Sequence, residues 1–125
     1  MLTLPSSDLQ RSLRFYRDGL GLPTDGVAAP EHGGHHLLFV LEGGLSLLLF
    51  DRTELNRLTP GGAPQAGGAI LSYIAENREE VDSTIAAAQA AGGTRVGDVV
   101  EESFGYHGHF GDPDGNLWEV VCFNG

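Results

Sequence analysis

Ser7-Asp8-Leu9-Gln10-Arg11-Ser12-Leu13-Arg14-Phe15-Tyr16-Arg17-Asp18-Gly19-Leu20-Gly21-Leu22 decides how the chain folds, because it carries an amphipathic helix with its own start and stop signals. Ser7 is the expected N-cap, and Gln10 three residues later completes a capping-box pattern, so the helix should begin near Asp8. Leu9, Leu13, Tyr16 and Leu20 recur at spacings of four, three and four and form a core face. Gln10, Arg11, Arg14, Arg17 and Asp18 take the solvent side, and Gly19, Gly21 and Pro23 supply the breakers of a helix end. Immediately upstream lies a short apolar run, Leu2 to Leu4.

The same plan recurs later in the chain, which suggests an internal repeat. The apolar run Ala69 to Ala75 precedes Asn77, which is suited to cap a helix while Glu80 reaches back. Val81, Ile85 and Ala88 repeat the four-then-three spacing, acidic residues crowd the first turn, and Gly92 and Gly93 end the helix.

After each helix the period shortens to that of strands. His35 to Leu41 and Leu45 to Phe50 flank the glycine turn Glu42-Gly43-Gly44. Thr94 to Val100, Phe104 to Phe110 and Leu117 to Phe123 follow the second helix, the last pair joined by Asp112-Pro113-Asp114-Gly115-Asn116. Asp51 to Gly68, with Pro60, Pro64 and several glycines, is expected to be a mobile linker or a lid. The expected fold class is α+β, one domain over residues 1–125 with module one at about 1–55, the linker at about 51–68 and module two at about 69–125. Each sheet has a second face to bury. Pairing the sheets, within one chain or across a homodimer, gives a half-open barrel around a cavity.

Composition narrows the function. A length of 125 residues with 41% hydrophobic content suits one core, and no run approaches the roughly 20 apolar residues of a membrane span. With no signal-like N-terminus, a soluble cytoplasmic protein is expected. A formal net charge of −10 disfavours nucleic acid and anionic membranes as partners. The lone Cys122 sits in an apolar run and reads as a buried, inert thiol.

The segment from Ser7 to Leu22 resembles the first helix of vicinal oxygen chelate proteins, the glyoxalase/bleomycin-resistance/dioxygenase group. Phe110-Gly111-Asp112-Pro113-Asp114-Gly115-Asn116-Leu117-Trp118-Glu119-Val120 resembles their closing hairpin. The resemblance covers essentially the whole chain. It implies paired βαβββ modules, a homodimer and a cavity lined by the sheets. Members include lactoylglutathione lyases, extradiol dioxygenases, epimerases, fosfomycin-inactivating thiol transferases and metal-free proteins that sequester bleomycin, so the fold leaves the activity open.

The resemblance also implies positions for a divalent metal, on the first and last strands of each module. They fall on Met1, near Leu47 or Leu48, on Tyr73 and on Glu119. Glu119 alone is a good hard-metal ligand, so the usual site looks absent and no cofactor is expected from it.

Glu119 shares its strand face with Leu117 and Val121, while Trp118, Val120 and Cys122 point the other way. A carboxylate on so apolar a strand must find a charged or hydrogen-bonding partner, because desolvation disfavours its ionised form. If the turn spans Asp112 to Asn116, Gly111 pairs with Leu117, His109 lies opposite Glu119, and His107 sits two residues along on the same face. Three readings follow: a displaced metal site, a metal-free general acid/base pair of Glu119 and His109, or a structural pair at the sheet rim. Tyr73 and Tyr106 are further ligand-binding candidates, Tyr73 because the resemblance faces it into the cavity. His32, His35 and His36 read as loop-borne surface histidines, with His35 and His36 on opposite faces. The glycine pairs lack the context of a phosphate-cradling loop, and Ser46, Ser72 and Ser103 have no identifiable base.

The leading expectation is a metal-free protein that binds a small organic molecule in a dimeric cavity, of the resistance or sequestration type. The alternative is a glyoxalase-like enzyme using Glu119 with His109, with a displaced metal as one variant. A partner-binding module without a small ligand is the third.

Overall fold

A computed structural model describes residues 1–28, 34–66 and 68–124. The chain divides into two compact units, Met1–Ala66 and Gly67–Gly125, with the boundary inside the expected linker.

The first unit contains β1 (Leu2–Ser6), α1 (Leu9–Leu13), β2 (Thr24–Val27), β3 (His36–Val40), β4 (Ser46–Asp51) and α2 (Arg52–Leu58). Its open sheet has the order β1-β4-β3-β2, with β1 parallel to β4 and the other pairs antiparallel. Leu37, Phe39, Leu47 and Leu49 are buried on one face, as are Leu13, Phe15 and Tyr16 of the helical segment, with Tyr16 and Phe39 rings 5.8 Å apart. A short 3-10 turn at Glu42–Gly44 joins β3 to β4, where the glycine turn is expected.

Three details differ from the sequence reading. The N-cap is Asp8, whose carboxylate accepts the Arg11 N–H at 3.1 Å, while the Ser7 hydroxyl accepts from the Arg11 guanidinium at 2.8 Å. An ionised acceptor at the positive end of a helix outcompetes a hydroxyl. Beyond Leu13 the helix widens to a π turn over Arg14–Gly19, which changes the period and brings Phe15 into the core beside Tyr16. The third detail is α2, which occupies the start of the supposed linker. It is capped by Asp51 accepting from the Glu54 N–H at 3.1 Å.

The second unit contains β5 (Ile70–Ile74), α3 (Arg78–Ala90), β6 (Thr94–Glu102), β7 (Gly105–Gly111) and β8 (Leu117–Phe123). Its order, β5-β8-β7-β6, repeats that of the first unit, again with one parallel pair, β5 and β8. The two units thus carry the same strand-helix-strands plan that the sequence repeat suggests. Val81, Ile85 and Ala88 are the buried residues of α3, which packs across β6, β7 and β8. Gly108 allows this approach: a Cβ there would lie 2.6 Å from Ile85 Cδ1 and 2.8 Å from Val99 Cγ2.

Asn77 caps α3 by accepting the Glu80 N–H at 2.8 Å, and the Glu80 carboxylate returns to the Glu76 N–H at 3.4 Å. Asn77→Ala is therefore expected to cost about 1 kcal/mol, read as a lower urea midpoint with an unchanged slope. An unchanged midpoint would remove the cap from this account.

The β7–β8 hairpin is fixed by Asp112. Its Oδ1 accepts the Asp114 and Asn116 N–H groups at 2.9 and 2.8 Å, and its Oδ2 accepts the Asn116 side-chain amide at 2.9 Å. Five residues are thereby held as one turn, which sets Gly111 opposite Leu117 and every pair that follows. Among the described residues, no helix is long and apolar enough to cross a membrane.

Candidate functional site

On β7, Tyr106, Gly108 and Phe110 face α3, and His107 and His109 face away from it. His109 is the register partner of Glu119, as expected from the turn, and His107 is partnered by Val121. Glu119 Oε2 lies 3.0 Å from His107 Nδ1 and 3.8 Å from His109 Nε2. The closer partner is thus the diagonal histidine, since an imidazole and a glutamate are long enough to meet along the strand direction. The His107 and His109 rings pack edge to face at 5.4 Å, and Phe104 packs against His107 at 5.0 Å.

A fourth group completes the cluster. Ser72 of β5 is the register partner of Glu119, and its hydroxyl donates to Glu119 Oε1 at 3.2 Å. The sequence alone offers Ser72 no base; the signal lies in the parallel pairing of β5 with β8, which places a polar residue of an apolar run beside Glu119. Side-chain exposures of 14% for His107, 26% for His109 and 23% for Glu119 leave the trio reachable from solvent. Apolar side chains share this face: Ile70 and Ile74 on β5, Val96 and Val100 on β6, and Phe123 on β8 are all exposed.

The two tyrosines are not part of this cluster. Tyr73 alternates with Ser72 and so points to the helix side, where its hydroxyl donates to Glu80 of α3 at 2.6 Å. Tyr106 likewise donates to Asp82 of α3 at 2.8 Å, and this bond pushes its phenol above the ordinary range. The Arg78 guanidinium stands 5.2 Å from the Tyr106 ring centroid and pairs with Glu101, holding that carboxylate below its usual range. These groups brace α3 against its sheet.

Cys122 is half-buried, not fully buried as its apolar run suggests, because it lies toward the end of β8. His36 stacks on Phe50 at 6.0 Å, which makes it a packed strand residue of the first unit. His32 lies outside the described residues.

The metal positions carried over from the resemblance do not hold a metal-ligating set. Met1 precedes β1, and the pairs in register on the first and last strands are Thr3 with Leu48 and Ser72 with Glu119. Tyr73 is thus one residue out of register. A threonine, a leucine and a serine add no strong ligand to Glu119. The cluster His107, His109 and Glu119, with one ligand atom from each all within 4.8 Å of one another, is a different donor set, built on a single hairpin.

Comparison with known proteins places this geometry in context. The family model of the Glyoxalase/Bleomycin resistance protein/Dioxygenase superfamily matches residues 1–120. Among solved structures, a hypothetical protein from S. aureus is 21% identical, with a TM-score of 0.82 over 98% of this chain and 91% of its own. A glyoxalase-related enzyme from Fulvimarina pelagi is 22% identical, with a TM-score of 0.80 over 98% and 86%. A lactoylglutathione lyase from Agrobacterium tumefaciens is 26% identical, with a TM-score of 0.71 over 98% and 92%. Comparison with curated proteins finds no match.

Proposed function

The chain belongs to the glyoxalase/bleomycin resistance protein/dioxygenase superfamily, and from that premise we propose that it binds a small, partly apolar organic molecule on the open face of its second sheet. The observation that carries this reading is a concentrated polar anchor in an apolar field. Glu119 meets Ser72, His107 and His109, and the exposed side chains around them are mainly aliphatic or aromatic. Such a surface supplies hydrophobic contact for a ligand body and a few directional groups for its heteroatoms. The acidic chain suits neutral or cationic ligands better than polyanions.

The first unit also leaves Leu38 and Val40 exposed on the face away from its buried leucines. We infer that a homodimer encloses these open faces and leaves the Glu119 cluster accessible to its ligand, in a cytoplasmic setting. Sedimentation equilibrium tests the dimer directly, and a monomer at micromolar concentration would remove it.

The test of binding is calorimetric titration with a panel of catechols, α-hydroxyketones and cationic aromatic amides. At least one class is expected to bind with fixed stoichiometry and to lose about tenfold or more in affinity in Glu119→Gln, roughly the value of one hydrogen bond to a charged group. A panel that fails throughout, or a ligand indifferent to Glu119→Gln, would count against the site. One observation favours catalysis as a second reading: the 3.0 Å contact between Glu119 and His107 is a hydrogen-bonded acid/base pair beside an open face. Turnover of a bound α-hydroxyketone, abolished by Glu119→Gln while the ligand still binds, would establish it.

A further inference from the structure

We propose that His107, His109 and Glu119 form a divalent transition-metal site that lies wholly on the β7–β8 hairpin, in which Glu119 keeps a position the resemblance assigns to a metal and the two histidines stand outside the other three. The metal is of the zinc, cobalt or nickel type, held by three protein ligands with the remaining coordination positions open to solvent.

The donor set comes first. Two imidazoles and one carboxylate suit borderline metals, whereas calcium and magnesium require an oxygen-dominated shell. Three protein ligands with an open position are the pattern of a zinc site that keeps water or a ligand. The sheet supplies the spacing. Residues two apart on a strand project from one face, and the Asp112 turn sets Glu119 across from His109.

Distances support the same conclusion. Tetrahedral ligands about 2.05 Å from zinc stand about 3.3 Å from one another. Glu119 Oε2 is 3.0 Å from His107 Nδ1 and 3.8 Å from His109 Nε2, on either side of that value. All the ligand atoms lie within 4.8 Å of one another, so side-chain shifts of no more than about 1.5 Å bring the set to tetrahedral spacing. Ser72 donates to the other carboxylate oxygen, Oε1, which leaves Oε2 directed at the imidazoles. That is the outer hydrogen bond that orients a ligating carboxylate. Among the described residues, no other group of three His, Cys, Asp or Glu side chains converges in this way.

The proposal concerns the same residues as the small-molecule reading but does not depend on it, and metal binding is measured with no organic ligand present. Untagged protein is stripped with chelator and titrated with Zn2+ and with Co2+. The expected result is one ion per chain, a higher melting temperature with zinc, and visible Co2+ bands of an intensity typical of four or five ligands. His107→Ala, His109→Ala and Glu119→Gln should each weaken zinc binding about 100-fold or more, and Ser72→Ala about 10- to 100-fold. His36→Ala should leave it unchanged.

No stoichiometric ion would overturn the proposal. So would a Co2+ spectrum like that of the hydrated ion, or an affinity that survives His107→Ala and His109→Ala, which would place the ion at other histidines. Should a variant lose its circular dichroism, the Co2+ spectrum of the unaltered protein still decides. Zinc binding without ligand binding would sink only the small-molecule reading; ligand binding without zinc would sink only this one.

Discussion

Phe110→Ala is expected to lower the stability of the second unit by about 3–5 kcal/mol, the range for emptying a buried aromatic position. Phe110 is 1% exposed and stacks on Trp118, with centroids 6.0 Å apart and planes 5° from parallel. The two rings are register partners across the β7–β8 ladder, on the face covered by α3. Removing one ring leaves a cavity against the other, and a sheet held by neighbouring pairs has little freedom to collapse into it. Trp118 is the only tryptophan of the chain, so its fluorescence during urea unfolding reports on this unit directly. The midpoint should fall steeply. A loss below about 1 kcal/mol would mean that the site collapses around the cavity, and the packing argument would fail.

That same ladder shows which parts of the structure the sequence specifies locally. Asp112-Pro113-Asp114-Gly115-Asn116 closes a turn through bonds among its own five residues, so the register of His109 with Glu119 is legible without tertiary information. Capping is nearly as local: Asn77 is readable, and Asp8 displaces Ser7 by one position because a carboxylate is the better acceptor. Other features are set at a distance. Thr24–Val27 has too short a pattern to announce β2, which is defined by its pairing with β3. α2 buries no residue fully, so it lacks the apolar stripe that marks a helix among glycines and prolines. Ser72 gains its role only when β5 lies parallel beside β8. The tyrosines lie outside the Glu119 cluster for a related reason: a shift of one residue along a strand reverses the face, and Glu80 and Asp82 of α3 are there to receive their hydroxyls.

Gly105→Ala is the second change with a large expected effect, and it couples stability to the site. A Cβ at Gly105 would lie 2.2 Å from the Cys122 carbonyl oxygen and 2.9 Å from Phe123 Cα. Both are backbone atoms of β8, the strand paired with Gly105 through Phe123. A side-chain clash can be relieved by a rotamer change; this one can be relieved only by parting the strands. The cost should be about 3 kcal/mol, at the upper end for overpacking. Parting β7 from β8 also separates His107 from Glu119, which meet diagonally across the same ladder at 3.0 Å. Zinc affinity in Gly105→Ala should therefore fall by about tenfold or more even in solutions cold enough to keep the protein folded, because each 1.4 kcal/mol of ligand misplacement is a factor of ten. Gly108→Ala is the control for this argument. Its added methyl crowds the side-chain ends of Ile85 and Val99 on the helix side and reaches backbone no closer than Val99 Cα at 3.5 Å, an ordinary contact, so it should reduce stability while leaving zinc affinity nearer to that of the parent. If both variants reduced zinc binding equally at matched stability, the trio would be answering to the rigidity of the whole sheet and not to the separation of β7 from β8.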